Sequence, residues 1–155
     1  MITEDAREYA AALPDGGALI GLDLGTKTIG IATCDPAWSF ATPGKTLPRS
    51  KFTHDKALIE QLAAERRVKG LVIGLPLNMD GSSGPRAQAS RAFARNLAVL
   101  GLPVLLWDER WSTASAERDM IAQDMSRAKR AEKIDSHAAA VILQGAIDRL
   151  AGGMF

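Results

Sequence analysis

Three acidic positions stand out because of the residues around them. Asp23 interrupts the nearly continuous apolar run ALIGLDL at 18–24. A carboxylate inside such a run is expensive unless it is paired or bound to a metal. Asp108 and Glu109 follow the apolar segment Val104–Trp107. Successive strand residues point to opposite faces, so at most one of the two can share a site with Asp23. The longer reach favours Glu109, with Asp108 as its substitute. Asp135 is read as opening the last helix, beside the Ile134/Ala138 stripe, where the macrodipole favours an acid. Each has a plain structural reading when taken alone. Asp23 can cap the Gly25 turn, Asp108 and Glu109 can be a surface pair partly neutralised by Arg110, and Asp135 can be a first-turn acid. Taken together they are three hard oxygen donors at element ends, a set suited to Mg²⁺ or Mn²⁺. Two such ions about 3.5–4 Å apart would serve in-line displacement at a phosphodiester.

Basic residues supply the complementary half. Thr26 and Lys27 follow Asp23 in a Gly turn that could hold a phosphate. The run RAKRAEK at 127–133 sets Arg127, Lys129, Arg130 and Lys133 against Glu132 alone, just before Asp135. Such a run is a solvated face or a guide for a phosphate backbone. Arg110, beside the acid pair, is expected to contact nucleic acid as well, and Arg91 and Arg95, four apart on a helix, could extend the track. Aromatic residues are only 5% of the chain, which favours recognition of backbone and shape over base stacking. Gly44-Lys45-Thr46 has the ending of a P-loop, but Ser39 stands where the upstream glycine is required and no helix clearly begins there. Cys34 reads as packing, Trp107 as core, Trp111 as surface or interface, and His137 as structural.

The elements that must position these residues follow from patterning. Residues 3–13 read as a short amphipathic helix ended by Pro14-Asp15-Gly16-Gly17. Strands are expected at 18–24, 28–33 and 38–47, a helix at 53–67, a strand at 71–75 and a helix from Pro85 to about Leu100. A strand at 104–107 follows, then a helix capped by Ser112 or Thr113 and running to about Gln123. Residues 125–132 read as a polar, basic stretch, and 133–150 as the last helix, with Ile134, Ala138, Val141, Ile142 and Gly145 on one stripe. The order is β-β-β-α-β-α-β-α-α, an α/β fold. Its first three strands are antiparallel neighbours, and the later strands run parallel to the first.

Composition narrows the classes further. The chain has 155 residues, enough for one domain with a full core, and 46% hydrophobic content argues against disorder. A single cysteine allows no intrachain disulfide, and with two histidines it argues against a zinc site. A net charge of +1 means that any nucleic-acid binding must come from local patches. The N-terminus has acids where a signal peptide has basic residues, and the apolar stretch Leu97–Trp107 is too short to span a bilayer. The expectation is a cytoplasmic protein with no membrane partner.

Four motifs carry a resemblance. GLDLGTKTIGIA (21–32), VIGLPLNMDGSSG (72–84), DER with Ser112-Thr113 after Trp111, and KIDSHAAAVIL (133–143) resemble the YqgF/RuvX family of the RNase H-like superfamily. They span nearly all of 17–150. The resemblance implies an RNase H-like five-stranded mixed sheet, order 3-2-1-4-5, flanked by helices. It divides the chain into an N-terminal helical extension (1–16) and an RNase H-like nuclease domain (17–155). It implies a Mg²⁺- or Mn²⁺-dependent nuclease, monomeric or homodimeric, that processes the 5′ end of precursor 16S rRNA in ribosome biogenesis. The alternative is a Holliday junction resolvase acting on branched DNA. Carried over by motif, Asp23, Glu109 and Asp135 match the family's catalytic, metal-holding acids, with the choice between Asp108 and Glu109 left open. Trp111 departs from the Leu common at that place. The DLGTK turn is also similar to the phosphate hairpin of actin-like ATPases, but those enclose nucleotide between two such domains and this chain has length for one. A non-catalytic ribosome-assembly module is the third reading.

Overall fold

Short apolar segments with β-branched residues and glycine turns build the sheet. In the computed structural model, which describes residues 1–111 and 127–152 and only the backbone of 127–135, β2 (Leu19–Leu24), β3 (Thr28–Cys34) and β4 (Ala41–Pro48) form an antiparallel meander. β5 (Gly70–Leu75) and β6 (Val104–Asp108) then add in parallel on the other side of β2. The sheet order is β1-β6-β5-β2-β3-β4. Its last five members reproduce the expected 3-2-1-4-5 order.

Among the described residues the sheet has six strands, not five. β1 (Ile2–Thr3) pairs in parallel with the outer edge of β6. A two-residue strand has no periodicity to read, and it exists because the β6 edge offers unpaired backbone groups. Val104 N–H donates to the Met1 carbonyl at 2.9 Å. The following helix, α1 (Ala6–Ala12), is shorter than the 3–13 span expected. It is capped by Asp5, whose carboxylate accepts from Arg7 N–H at 2.8 Å. Tyr9 is fully buried and its hydroxyl donates to the Leu71 carbonyl at 2.9 Å, tying α1 onto β5. A Cβ at Gly70 would collide with that hydroxyl.

Helices cover both faces. α2 (Phe52–Glu65) and α3 (Pro85–Leu97) pack on one, where Ile20, Leu22, Ile31, Ile59, Ile73, Phe93 and Leu97 make the larger core. Pro85 opens α3 as expected, and a 3-10 turn carries the chain on through Ala98–Leu100. The helix α4 (Arg127–Ala151) packs on the other face through Ala139, Ile142, Leu143 and Ala146, against Leu19, Val72, Leu105 and Trp107. Burying each such Leu, Ile or Val side chain stabilises the fold by roughly 1.5–3 kcal/mol. α4 approaches closely at Gly21, where a Cβ would stand 2.8 Å from the Leu143 Cβ.

α4 also begins earlier than its apolar pattern shows, since residues 127–132 are helical rather than a connecting stretch. Ala, Lys and Arg are strong helix formers, but a segment with no Leu, Ile or Val gives periodicity nothing to detect. Asp135 therefore lies in the third turn, out of reach of the N-terminal dipole invoked for it. The expected helix after Ser112 or Thr113 lies outside the described residues. Gly44-Lys45-Thr46 is inside the edge strand β4, so it is not a P-loop. Among the described residues no helix is long and apolar enough to cross a membrane.

Candidate active site

Strand alternation decides which acids can meet. Gly21 faces Leu143 and Ala139 of α4, so Asp23, two residues on along β2, points to the same face. It is 2% exposed. Register brings Asp23 level with Gly74, because Leu22 lies opposite Ile73 in the parallel β2–β5 pair. Gly74 in turn lies opposite Trp107 of β6. Neighbouring strands are about 4.8 Å apart.

Glu109 closes the arrangement. It follows β6 in a 3-10 turn (Glu109–Trp111) and is half-buried. Its side chain reaches back over β5, and a Cβ placed on Gly74 would stand 3.1 Å from its Oε2 and 2.7 Å from Cδ1 of Ile142 in α4. The Glu109 carboxylate thus occupies space that Gly74 leaves vacant, one strand from Asp23 and on the same face. Sequence reasoning passed over Gly74, whose signal was a glycine inside a buried strand, a mark of close approach.

Asp108 turns the other way. Arg110 grips it with Nη2 at 2.7 Å from Oδ2 and Nε at 3.1 Å from both oxygens, and Arg110 N–H donates to Oδ1 at 2.9 Å. Burial alone would raise this carboxyl's pKa, but the Arg110 hydrogen bonds and charge hold it below the usual range. Arg110 also donates to the Met79 carbonyl at 3.2 Å, pinning the 76–84 loop. Both groups are thus paired with each other, and the Arg110 side chain stays partly exposed.

The remaining expected residues are dispersed. Lys27 is exposed on the turn after Asp23. Asp135 lies four residues before Ala139 and seven before Ile142, on the α4 stripe that faces the sheet, with its side chain outside the described residues. Arg127, Lys129, Arg130 and Lys133 lie on the first turns of α4, with their side chains outside the described residues. Arg91 is paired with Glu4 at 3.0 Å, while Arg95 is exposed. Cys34 is buried, which pushes its thiol pKa up to about 11, as suits packing. Trp107 is core, and Trp111, 61% exposed, stands edge-on to it at 5.5 Å with Arg149 5.9 Å over its ring.

Two carboxylates on one face, with Gly74 of β5 between their strands, are hard oxygen donors of the kind a divalent cation takes. The donor set fits a hard ion: two carboxylates, one buried, beside a cradle that a Cβ would fill. Among the described residues no group of three or more His, Cys, Asp or Glu is assembled to hold a metal. The third acid of the set, Asp135, has its side chain beyond them.

A family model described as "RuvX: Holliday junction resolvase" matches residues 17–149. The chain belongs to the RuvX family. A relative from Novosphingobium aromaticivorans is 68% identical over 155 residues, covering 100% of both chains. One from Sphingopyxis alaskensis is 67% identical over 150 residues, covering 97% of this chain and 99% of its own. A third, from Zymomonas mobilis, is 57% identical over 148 residues, covering 96% and 91%. All three are described as "Putative pre-16S rRNA nuclease". Among solved structures, T. thermophilus RuvC in complex with a Holliday junction substrate matches with a TM-score of 0.54 at 13% identity, over 86% of this chain and 94% of that one. Another Thermus thermophilus RuvC structure gives 0.53 at 14%, over 87% and 96%. At those identities the likeness bears on the fold alone.

Proposed function

We propose that this RuvX-family chain is a divalent-metal-dependent nuclease of the cytoplasm that hydrolyses phosphodiester bonds, with the 5′ end of precursor 16S rRNA as its substrate. The observation that carries the proposal is the Asp23–Gly74–Glu109 arrangement, in which acids from β2 and from the turn after β6 share one face and Gly74 of β5, between them, makes room. Asp135, on the sheet-facing stripe of α4, completes the set. These three would hold Mg²⁺ or Mn²⁺, which when bound supplies Lewis-acid stabilisation of the charge that develops at phosphorus. The protein's own part is positional. β2 and the turn after β6 carry two acids, Trp107 and Ile142 wall the site with apolar surface, and Lys27, exposed on the turn after Asp23, would meet a phosphate.

The test is a cleavage panel of precursor-like RNA hairpins, single strands and four-way DNA junctions, with Mg²⁺ and with chelator. RNA cleavage that needs the metal, is lost in Asp23→Asn and is accompanied by unchanged thermal melting is the expected result. Full activity in that variant would remove Asp23 from the mechanism. The family description favours a second reading, resolution of DNA junctions. Cutting two symmetry-related strands calls for a homodimer, so junction cleavage by a dimeric species would move the assignment there.

A further inference from the structure

Two arginines that neither motif matching nor charge runs single out converge on the turn that follows Asp23. Arg49 comes just after β4. Its N–H donates to the Lys27 carbonyl at 2.8 Å and its Nη1 to the Gly25 carbonyl at 2.9 Å. Phe93 supports the guanidinium from below, with Cζ 6.0 Å from the ring centroid. Arg86, in the first turn of α3, donates from Nη2 to the Leu24 carbonyl at 3.0 Å. Two guanidinium groups from distant parts of the chain are thus anchored on consecutive carbonyls of one turn.

Between them lies a hollow of about 210 Å³, with Thr26 at its rim and Pro85 and Ala89 on its wall. Among the described residues neither arginine has a carboxylate within 4.0 Å, whereas Arg91 and Arg110 each have one. A guanidinium has five N–H donors and both groups are anchored through neutral carbonyls, so two positive charges stay uncompensated around one concavity. Planar forks of this kind match phosphate oxygens. Leu24 and Gly25 are one and two residues past Asp23, which at about 3.3 Å per residue puts the hollow one or two nucleotides from the carboxylates. Leu24 faces the α2/α3 side and Asp23 the α4 side, so a chain engaging both would cross the carboxyl edge of the sheet over the Gly25 turn.

We propose that Arg49 and Arg86 form a subsite for a backbone phosphate next to the scissile one, gripping the nucleic acid on the sheet face opposite the carboxylates. The proposal rests on the nuclease reading above and adds a binding role to residues outside the acid set. It also supplies a phosphate grip close to Asp23.

The experiment measures binding of a labelled RNA hairpin and a four-way DNA junction by fluorescence anisotropy, with Ca²⁺ in place of Mg²⁺, over a range of KCl. Arg49→Gln and Arg86→Gln should each reduce the slope of log K against log[salt] by about 0.7–0.9, one phosphate contact apiece. Arg49→Lys/Arg86→Lys, which keeps both charges, should retain the slope. A Gln double variant that melts like the wild type and keeps the full slope overturns the subsite. Should the Gln variants not fold, titration of the wild type with adenosine 3′,5′-bisphosphate decides. The Arg49 and Arg86 Nε–H resonances should shift together, and their failure to move at saturating ligand overturns the proposal. A wild type that neither binds nor cleaves any of these nucleic acids sinks the nuclease reading itself. Binding and cleavage that are indifferent to both arginines sink only the subsite.

Discussion

The two faces of the sheet treat neighbouring acids in opposite ways. On the α2/α3 face, Asp108 is matched by a dedicated Arg110. Asp55, 1% exposed, is matched there by the Ser50 hydroxyl at 2.9 Å and by Ser50 N–H. On the α4 face, Asp23 and the carboxylate of Glu109 are brought to within a strand of one another, and a glycine is spent to let them approach. Asp108 and Asp55 are each tied to a donor within the fold. The Asp23–Glu109 arrangement gathers two hard oxygen donors on one face, a geometry that suits a shared cation.

The sharpest way to break the contrast is to swap amides into adjacent positions. Glu109→Gln should lose more cleavage than the roughly 10–100-fold typical of residues that only support a metal ligand, with its melting temperature unchanged or raised. Asp108→Asn should keep metal-dependent cleavage but lose about 1–3 kcal/mol of stability, the worth of its charge-assisted bonds to Arg110. Chemical denaturation and initial rates on the same RNA separate the two. The reverse pattern, with Asp108→Asn inactive and Glu109→Gln active, would transfer the site to the other face.

Much of this was legible in advance because the decisive signals were local. An acid in an apolar run, and an acid pair where a buried strand runs out, follow from alternation and desolvation cost alone. The five-strand order follows from which strands are joined by turns and which by helices. What could not be read depends on contacts between distant segments. β1 is only two residues long and exists because β6 has an open edge. Arg49 and Arg86 are ordinary surface arginines until the fold carries them to Leu24 and Gly25. The start of α4 was missed because residues 127–133 include no large apolar side chain to mark a helical period.

Gly74→Ala tests the room between the acids rather than the acids themselves. The added Cβ would stand 2.7 Å from Ile142 Cδ1 and 3.1 Å from Glu109 Oε2. Such overpacking should cost about 1–3 kcal/mol. The displaced Glu109 should raise the Mg²⁺ concentration needed for half-maximal cleavage. A Gly74→Ala protein with wild-type metal dependence would mean that the vacancy over β5 has no part in placing the carboxylate.

The smallest expected effect concerns the Asp108–Arg110 pair under acid. The folded-state carboxyl of Asp108 titrates below its ordinary value because Arg110 outweighs its burial. Its contribution is therefore fully present above the unfolded value of about 3.9 and is lost as pH falls through the lower folded value. The gap in melting temperature between wild type and Asp108→Asn should be constant from neutral pH down to about 5, then narrow as the pH is taken towards 3. A gap that widens on acidification would mean that Asp108 is held by something other than its arginine, and the contrast between the two faces would lose its better-defined half.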